Sequence, residues 1–138
     1  RIFRITCAVA VSCVLTACTT AGSGAPVPPM DMLVDAEWLS QHYRDSDVVV
    51  LDATVIVERT DDGGMRTVNG RANFESGHVP GARFADLMGE LADADSALQY
   101  AVPAPAQFAA AMERLGVSDN SRVVIYDTNG SAWAARVR

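Results

Sequence analysis

The stretch Gly77-His78-Val79-Pro80-Gly81-Ala82 lies between two short apolar runs that each end in an acid. The first run is Val-Val-Val-Leu-Asp at residues 48–52, and the second is Val-Val-Ile-Tyr-Asp at residues 123–127. Both runs are rich in β-branched residues and do not alternate with polar ones, which is typical of strands buried on both faces of a parallel sheet. We therefore expect two strands of one parallel sheet, with residues 77–82 between them.

The hexapeptide predicts how the chain turns. Pro80 biases Val79 toward extended geometry, and Gly77 and Gly81 permit backbone angles that are closed to other residues. We expect a helix end, a tight loop and the start of another strand at residues 82–84.

Helix signals alternate with the predicted strands. Asp35 can cap a helix that runs to about Tyr43. Residues 71–76 make a short helix that ends at Gly77, and Pro105 suits the first turn of a longer helix. This order, with short connections, predicts an α/β fold, a parallel sheet with helices on both faces. Ligands of such sheets bind at the carboxyl ends of the strands, so the residues after the second apolar run are where we expect a site.

The composition limits the class of function. At 138 residues the chain is one domain at most, and its net charge of −6 with scattered basic residues argues against a nucleic-acid partner. All three cysteines fall within the first 18 residues. The folded part therefore has no disulfide, thiolate metal site or cysteine nucleophile, and neither a metal nor a cofactor is expected.

Residues 1–18 resemble the signal peptide of a bacterial lipoprotein. A basic start precedes an apolar stretch that ends in Leu15-Thr16-Ala17-Cys18, as a lipobox does. Cys18 would then be lipidated, and the protein would be exported and anchored in a membrane, facing the periplasm or the cell exterior. An ordinary cleaved export signal and a buried first helix are the alternatives. Residues 19–31 are rich in Gly, Ser, Thr and Pro, and we expect a flexible tether.

Three features, in this order, resemble the rhodanese (sulfurtransferase) family. They are Val-Val-Leu-Asp-Ala at 49–53, the hexapeptide at 77–82, and Leu-Gly-Val at 115–117 leading into 123–127 and Ala-Ala-Arg-Val at 134–137. The resemblance implies a rhodanese-like domain over residues 32–138, truncated before the family's last strand and so incomplete at its C-terminus. It is greatest to the N-terminal domain of two-domain enzymes that transfer sulfur from thiosulfate or 3-mercaptopyruvate.

Asp127 bears directly on the chemistry that the resemblance implies. In the family's catalytic domain a cysteine stands at this position, and the N–H groups of a cradle loop stabilise its thiolate and the anionic donor. The resemblance places that cradle loop at Asp127, Thr128, Asn129, Gly130 and Ser131. A carboxylate cannot attack the outer sulfur of thiosulfate or carry a persulfide, but it can accept the same N–H groups and repel an anionic donor. No catalytic residue is therefore expected in this chain.

The resemblance thus implies the non-catalytic N-terminal half of a sulfurtransferase. In the intact protein, a cysteine of a C-terminal rhodanese domain would take sulfane sulfur from a small anionic donor and pass it to cyanide or a thiol. The alternative is a non-enzymatic rhodanese-like module that binds a partner or an anion at the cell envelope. A dual-specificity phosphatase of the same architecture is a third possibility, although it too needs the cysteine that Asp127 replaces.

Two further positions bear on the donor. The mercaptopyruvate branch of the family has a histidine three residues before the proline that precedes the long helix. It also has an aspartate shortly after the strand that follows the hexapeptide. Tyr100 and Met88 occupy these positions here, so the resemblance favours thiosulfate as the donor of the intact protein.

His78 and Arg136 are candidate interface or pocket residues. His78 could titrate near neutral pH or reach into a domain interface, or its ring could hydrogen-bond the local backbone and hold the loop. Arg136 could pair with Asp127 or Asp52, or pack its stem on the sheet.

Overall fold

The computed structural model describes residues 31–137. The predicted signal peptide at residues 1–18, which includes Cys18, lies outside the described residues, and so does the predicted tether except for Asp31. Within residues 31–137 no helix has the length and apolar character needed to cross a membrane.

Four helices and five strands make up the described part of the chain. In chain order they are α1 Ala36–His42, β1 Val48–Asp52, β2 Val55–Arg59, β3 Met65–Asn69, α2 Arg71–Ser76, β4 Arg83–Phe84, α3 Pro105–Arg114, β5 Arg122–Tyr126 and α4 Ala134–Val137.

The central sheet has three parallel strands in the order β4-β1-β5. Strands β1 and β5 pair over their full length, from Val48 beside Arg122 to Asp52 beside Tyr126. Strand β4 pairs only with the end of β1. The parallel sheet predicted from the two apolar runs is therefore confirmed.

Side chains of β1 contribute alternately to two hydrophobic cores, because successive residues of a strand point to opposite faces. Leu51 is fully buried and packs in a core with residues of α3, α4 and the segment after β4. Its neighbour Val50 belongs to a second core, to which α1 contributes Trp38 and α2 contributes Phe74. Helices thus cover both faces of the sheet, as predicted, which explains why β1 has no polar alternation.

An antiparallel hairpin, which was not predicted, separates β1 from α2. Strand β2 pairs with β3 from Val55 beside Asn69 to Arg59 beside Met65. Residues 61–64, Asp-Asp-Gly-Gly, lie in the turn of this hairpin. A β-branched run beginning at Val55, followed by a Gly-Gly turn, was the available signal for it.

The hexapeptide connects α2 to β4 as predicted, with one difference. Helix α2 ends at Ser76 and β4 begins at Arg83. Gly81 has a φ of +80°, a left-handed angle that favours glycine. Gly77, in contrast, is extended, with φ 171° and ψ 130°. Since any residue adopts that conformation, the chain does not use at Gly77 the backbone angles that glycine permits.

Candidate active-site loop

The loop that follows β5 leaves the sheet beside the end of β1. Asp52 and Tyr126 are register partners at this end of the two strands, and Asp127 is the first residue beyond β5. The carboxyl ends of parallel strands share one edge of the sheet, and ligands of α/β proteins bind at that edge. The candidate site is therefore built on the loop at residues 127–133.

The carboxylate of Asp127 accepts four backbone hydrogen bonds from this loop. Its Oδ1 accepts the N–H of Asn129 at 2.7 Å and that of Ser131 at 2.9 Å. Its Oδ2 accepts the N–H of Trp133 at 2.7 Å and that of Ala134, the first residue of α4, at 2.8 Å. The loop thus wraps around a carboxylate, and four N–H groups converge on it.

Two consecutive residues with left-handed backbone lie in the middle of the loop. Gly130 has a φ of +65° and Ser131 has a φ of +68°. This angle is uncommon for serine, and here the hydrogen bond from the Ser131 N–H to Asp127 helps to hold it. Successive N–H groups that converge in this way form the kind of concavity that binds anions in proteins, and the anion here is the chain's own side chain.

The charge of Asp127 is stabilised by its surroundings. Burial raises the pKa of the Asp127 carboxyl, but the four N–H groups together outweigh burial, so the pKa lies below its ordinary value of 3.8. The side chain is therefore ionised at neutral pH, and the concavity holds a full negative charge.

Of the five predicted cradle residues, hydrogen bonds join Asp127, Asn129 and Ser131. The side-chain amide of Asn129 also donates to the Val55 carbonyl at 2.6 Å, which ties the loop to the start of β2. Thr128 and Gly130 are exposed. The loop is therefore anchored both to its own first residue and to the neighbouring hairpin.

Two of the four donors, Trp133 and Ala134, were not predicted. They lie at the start of α4, where N–H groups have no partner within the helix. An ordinary N-cap side chain satisfies such groups from two or three residues upstream, whereas Asp127 stands six residues before Trp133 and seven before Ala134. No local sequence signal marks a contact over that distance.

Tyr126 links the end of β5 to the hexapeptide, a second contact that was not predicted. Its hydroxyl oxygen accepts the N–H of Val79 at 3.2 Å. Burial raises the pKa of the Tyr126 hydroxyl to about 12; the Val79 N–H opposes this rise, and the Asp52 carboxylate adds to it. The hydroxyl is therefore protonated at neutral pH.

His78 lies on the surface and contacts Phe74 of α2. Its Nδ1 atom is 2.7 Å from the Phe74 carbonyl oxygen, and the two rings stack with their centroids 3.9 Å apart. Of the two alternatives for His78, the structure shows the local backbone contact.

Arg136 does not pair with Asp127 or Asp52, so the acid-pairing alternative was wrong. Its guanidinium donates instead to backbone carbonyls of the segment between β4 and α3, those of Leu91, Tyr100 and Ala101. The side chain therefore has a structural role, but with partners that the sequence did not indicate.

Met88 and Tyr100, the two positions that bear on the donor, line one cavity of about 250 Å³. All of its lining residues fall between positions 88 and 100, and none of them is basic. The ring of Tyr100 packs against that of Trp133, with centroids 5.0 Å apart, so one residue of the cavity lining contacts the loop that holds Asp127.

The described residues lack the side chains that thiolate or metal-dependent catalysis would need. Residues 31–137 contain no cysteine, and among them no group of three or more His, Cys, Asp and Glu side chains could hold a metal ion. The site offers a fixed carboxylate inside a ring of N–H groups. That arrangement can order a loop and repel an anion, but it lacks a sulfur nucleophile.

Comparison with known proteins relates the chain to sulfurtransferases. It is 34% identical over 113 residues to thiosulfate/3-mercaptopyruvate sulfurtransferase 2 of Arabidopsis thaliana, a match that covers 82% of this chain and 31% of that protein. It is 35% identical over 102 residues to 3-mercaptopyruvate sulfurtransferase of Escherichia coli, covering 74% and 34%. Thiosulfate sulfurtransferase of Gallus gallus is 36% identical over 110 residues, covering 75% and 35%.

The structural comparison agrees. The crystal structure of SseA from Escherichia coli, described as a 3-mercaptopyruvate sulfotransferase with the rhodanese fold, matches with a TM-score of 0.58 and 34% identity, over 69% of this chain and 34% of that one. No protein-family model matches the chain. The chain spans about a third of the length of these relatives. It is homologous to the thiosulfate/3-mercaptopyruvate sulfurtransferases and has the rhodanese fold.

Proposed function

We propose that this chain is the non-catalytic N-terminal half of a sulfurtransferase, whose reacting cysteine belongs to a second rhodanese domain of the intact protein. The observation that carries the proposal is the Asp127 carboxylate, which fills the ring of four N–H groups. The relatives are named as sulfurtransferases, and the matched part is about a third of each. The rest of each relative is long enough to hold a second domain of this size, as the proposal requires for the intact protein.

Sulfur transfer of this kind needs a thiolate. The thiolate attacks the outer sulfur of thiosulfate, the sulfur–sulfur bond of the donor breaks, and sulfite leaves with the bonding electron pair. Cyanide then attacks the outer sulfur of the resulting persulfide, leaves as thiocyanate and regenerates the thiolate. The carboxylate of Asp127 can perform neither step, so it cannot substitute for the thiolate.

The negative charge of Asp127 also argues against binding of the sulfur donor at this loop. A negative charge at Asp127 opposes the approach of an anionic donor; two unit charges at 4 Å repel by about 1 kcal/mol in water and by several times that near a protein surface. The N–H groups that would offset the charge of the donor are already bonded to Asp127. This half would therefore shape the site rather than bind the donor at its own loop.

Thiosulfate is the proposed donor of the intact protein. The mercaptopyruvate branch places a histidine and an aspartate where this chain has Tyr100 and Met88. The phenol of Tyr100 and the thioether of Met88 replace the imidazole and the carboxylate that would act as acid and base in that branch. Thiosulfate needs no such group, since its outer sulfur is attacked directly.

Incubation of this chain with thiosulfate and cyanide tests the inactive-domain proposal. We expect thiocyanate at the level of a variant in which Cys7, Cys13 and Cys18 are all serine. Thiocyanate above that level would overturn the proposal.

The parent activity is tested separately, on the product of the whole gene. We expect it to form thiocyanate from thiosulfate faster than from 3-mercaptopyruvate, and we expect substitution of a cysteine in its second domain by serine to abolish the activity.

A whole protein without such a cysteine would leave the second candidate function, a non-enzymatic binding module at the cell envelope. The filled ring of N–H groups at Asp127 favours that module as well, since it leaves the loop without a nucleophile.

Attachment to a membrane through Cys18 is a further part of the proposal. It rests on the lipobox-like residues 15–18 and their position after an apolar stretch. Mass spectrometry of the mature N-terminus should find a diacylated or triacylated Cys18, and Cys18→Ser should release the protein from the membrane fraction. An unmodified N-terminus at another residue would contradict the anchor.

A further inference from the structure

The segment between β4 and α3, residues 85–104, contains neither helix nor strand. It is nevertheless closed on itself, because the N–H of Asp93 donates to the Ala101 carbonyl at 3.0 Å. Leu87 and Leu91 anchor it in the core, each with 1% of its surface exposed. Irregular segments of this length are uncommon inside compact domains, and when ordered they usually serve a function. Specific contacts must therefore hold this one in place.

Arg136 provides three such contacts. Its Nε donates to the Tyr100 carbonyl at 3.1 Å, and its Nη2 donates to the carbonyls of Leu91 at 3.3 Å and Ala101 at 3.1 Å. A second bond joins Nη2 to the Tyr100 carbonyl. Within residues 31–137 this guanidinium takes part in no ion pair. Its planar set of five N–H donors is suited to join several carbonyls at once, whereas an ammonium group has three donors and no fixed plane.

Tyr100, which Arg136 bonds twice, is itself unusual. Its φ is +60°, a left-handed angle that a bulky residue rarely adopts. Its ring packs on Trp133, and its buried hydroxyl has no hydrogen-bond partner among the described residues. Strained residues persist where their surroundings hold them, and they concentrate at functional sites. Here the surroundings are the Arg136 guanidinium and the Trp133 ring.

The same short helix connects these contacts to Asp127. The N–H groups of Trp133 and Ala134, at the start of α4, bond the Asp127 carboxylate. Arg136 lies two residues further along, on the single turn that follows. Helix α4 is therefore held by a carboxylate at its beginning and by three carbonyls through its arginine.

We infer that Arg136 is a positioning residue that couples Asp127, through α4, to the 85–104 segment and thereby sets the shape of the cavity lined by Met88 and Tyr100. The coupling is a property of the folded chain. It goes beyond the proposed function and holds whether or not the intact protein transfers sulfur.

Hydrogen exchange of the full chain tests the first half of the inference. In Arg136→Gln the amide of Asp93 should exchange about tenfold faster, while amides of the β1–β5 ladder keep their rates. Arg136→Lys should restore part of the protection. Arg114→Gln is the matched control, because it removes an exposed arginine that bonds Glu90 of the same segment at 3.4 Å, and it should leave Asp93 unchanged. A uniform acceleration across the β1–β5 ladder in both Arg136 variants, or no change at Asp93, would overturn the inference.

The coupling to Asp127 is tested in a Trp38→Phe background, where Trp133 is the remaining tryptophan. Both Asp127→Asn and Arg136→Gln should shift the Trp133 emission to longer wavelength, since each loosens the packing on Tyr100. They should also speed exchange at Asp93, and the double variant should show less than the sum of the two effects. No coupling through α4 exists if Asp127→Asn changes neither the exchange rate of the Asp93 amide nor the Trp133 emission. The same conclusion follows if the effects of the two substitutions on these quantities add in the double variant.

Discussion

The Oδ2 atom of Asp127 lies 2.7 Å from the amide nitrogen of Trp133, six residues further along the chain. A side chain at the end of a strand thus closes the loop that leads into the next helix, and it does so as an ionised group. Hydrogen bonds to an ionised acceptor are stronger than those between neutral groups, so this contact stabilises the loop in its observed form.

Replacement of Asp127 by asparagine should lower the free energy of unfolding by about 2 kcal/mol. Asparagine has one acceptor oxygen, and its NH2 group would face two of the four N–H groups that now bond the carboxylate. Urea denaturation measures the difference. Asp61→Asn, at an exposed acid of the hairpin turn, is the control and should change little. Equal stability of the wild type and Asp127→Asn would show that these contacts contribute nothing net.

The stability difference between the wild type and Asp127→Asn should shrink in acid. In the folded protein the pKa of Asp127 lies below 3.8, so as the pH falls the unfolded chain takes up this proton first. The stabilisation is complete above the unfolded-state pKa and is lost as the pH falls through the folded-state pKa. Paired unfolding curves from about pH 7 to about pH 3 measure the difference. A difference that stays constant with pH would contradict the assignment.

Asp127→Cys should accept sulfane sulfur from thiosulfate. The N–H groups that now bond the carboxylate would stabilise a thiolate, which is the reactive form of cysteine. Mass spectrometry should find one added sulfur at position 127, and cyanide should discharge it as thiocyanate. Asp127→Ser is the matched control, because it keeps the three native cysteines and lacks the new thiol. If Asp127→Cys takes up no more sulfur than Asp127→Ser, the N–H groups of the loop are not arranged to stabilise a sulfur anion.

Tyr126 should ionise only at strongly alkaline pH. Burial raises the pKa of its hydroxyl from 10.0 to about 12, so the stability that this group confers is present below pH 10.0 and is lost as the pH rises toward 12. The ultraviolet absorbance of tyrosinate, taken as the difference between the wild type and Tyr126→Phe, isolates this group from Tyr43 and Tyr100. A midpoint near 10 in the difference curve would refute the burial of this hydroxyl, which is the main cause of the raised pKa.

Gly70→Ala should destabilise the protein by about 2 kcal/mol, a typical cost of overpacking. A Cβ atom at Gly70 would lie 2.1 Å from the backbone oxygen of Thr54, which cannot easily move. Gly77→Ala is the control, since its backbone is extended and a Cβ there would meet no atom within 4 Å. Thermal or urea unfolding of both variants measures the effect. A loss as large in Gly77→Ala as in Gly70→Ala would contradict the close approach at Gly70.

The predictions that were confirmed rest on local patterns. The apolar run at 48–52 predicted a buried strand because residues with two buried faces must be apolar throughout, and β1 is buried at four of its five residues. The run at 123–127 also predicted a strand correctly, but β5 is mostly half-buried, with Val124 as its one buried residue. The helix over residues 71–76 and the turn at Gly81 likewise follow from short-range signals. The hairpin was missed because its strands β2 and β3 are half exposed and carry mixed polar and apolar residues, a weaker pattern than a buried run.

The sequence by itself determined that the chain builds a parallel sheet covered by helices on both faces, and that an acid rather than a thiol stands at the end of its last described strand. Both conclusions depend only on the order of the residues along the chain. Only the tertiary structure decided that four N–H groups converge on Asp127 and that Arg136, instead of pairing with an acid, bonds carbonyls 35 to 45 residues away. Those contacts depend on left-handed backbone at Ser131 and Tyr100 and on how distant segments pack, because a hydrogen bond forms between groups that are close in space, whatever their separation in sequence.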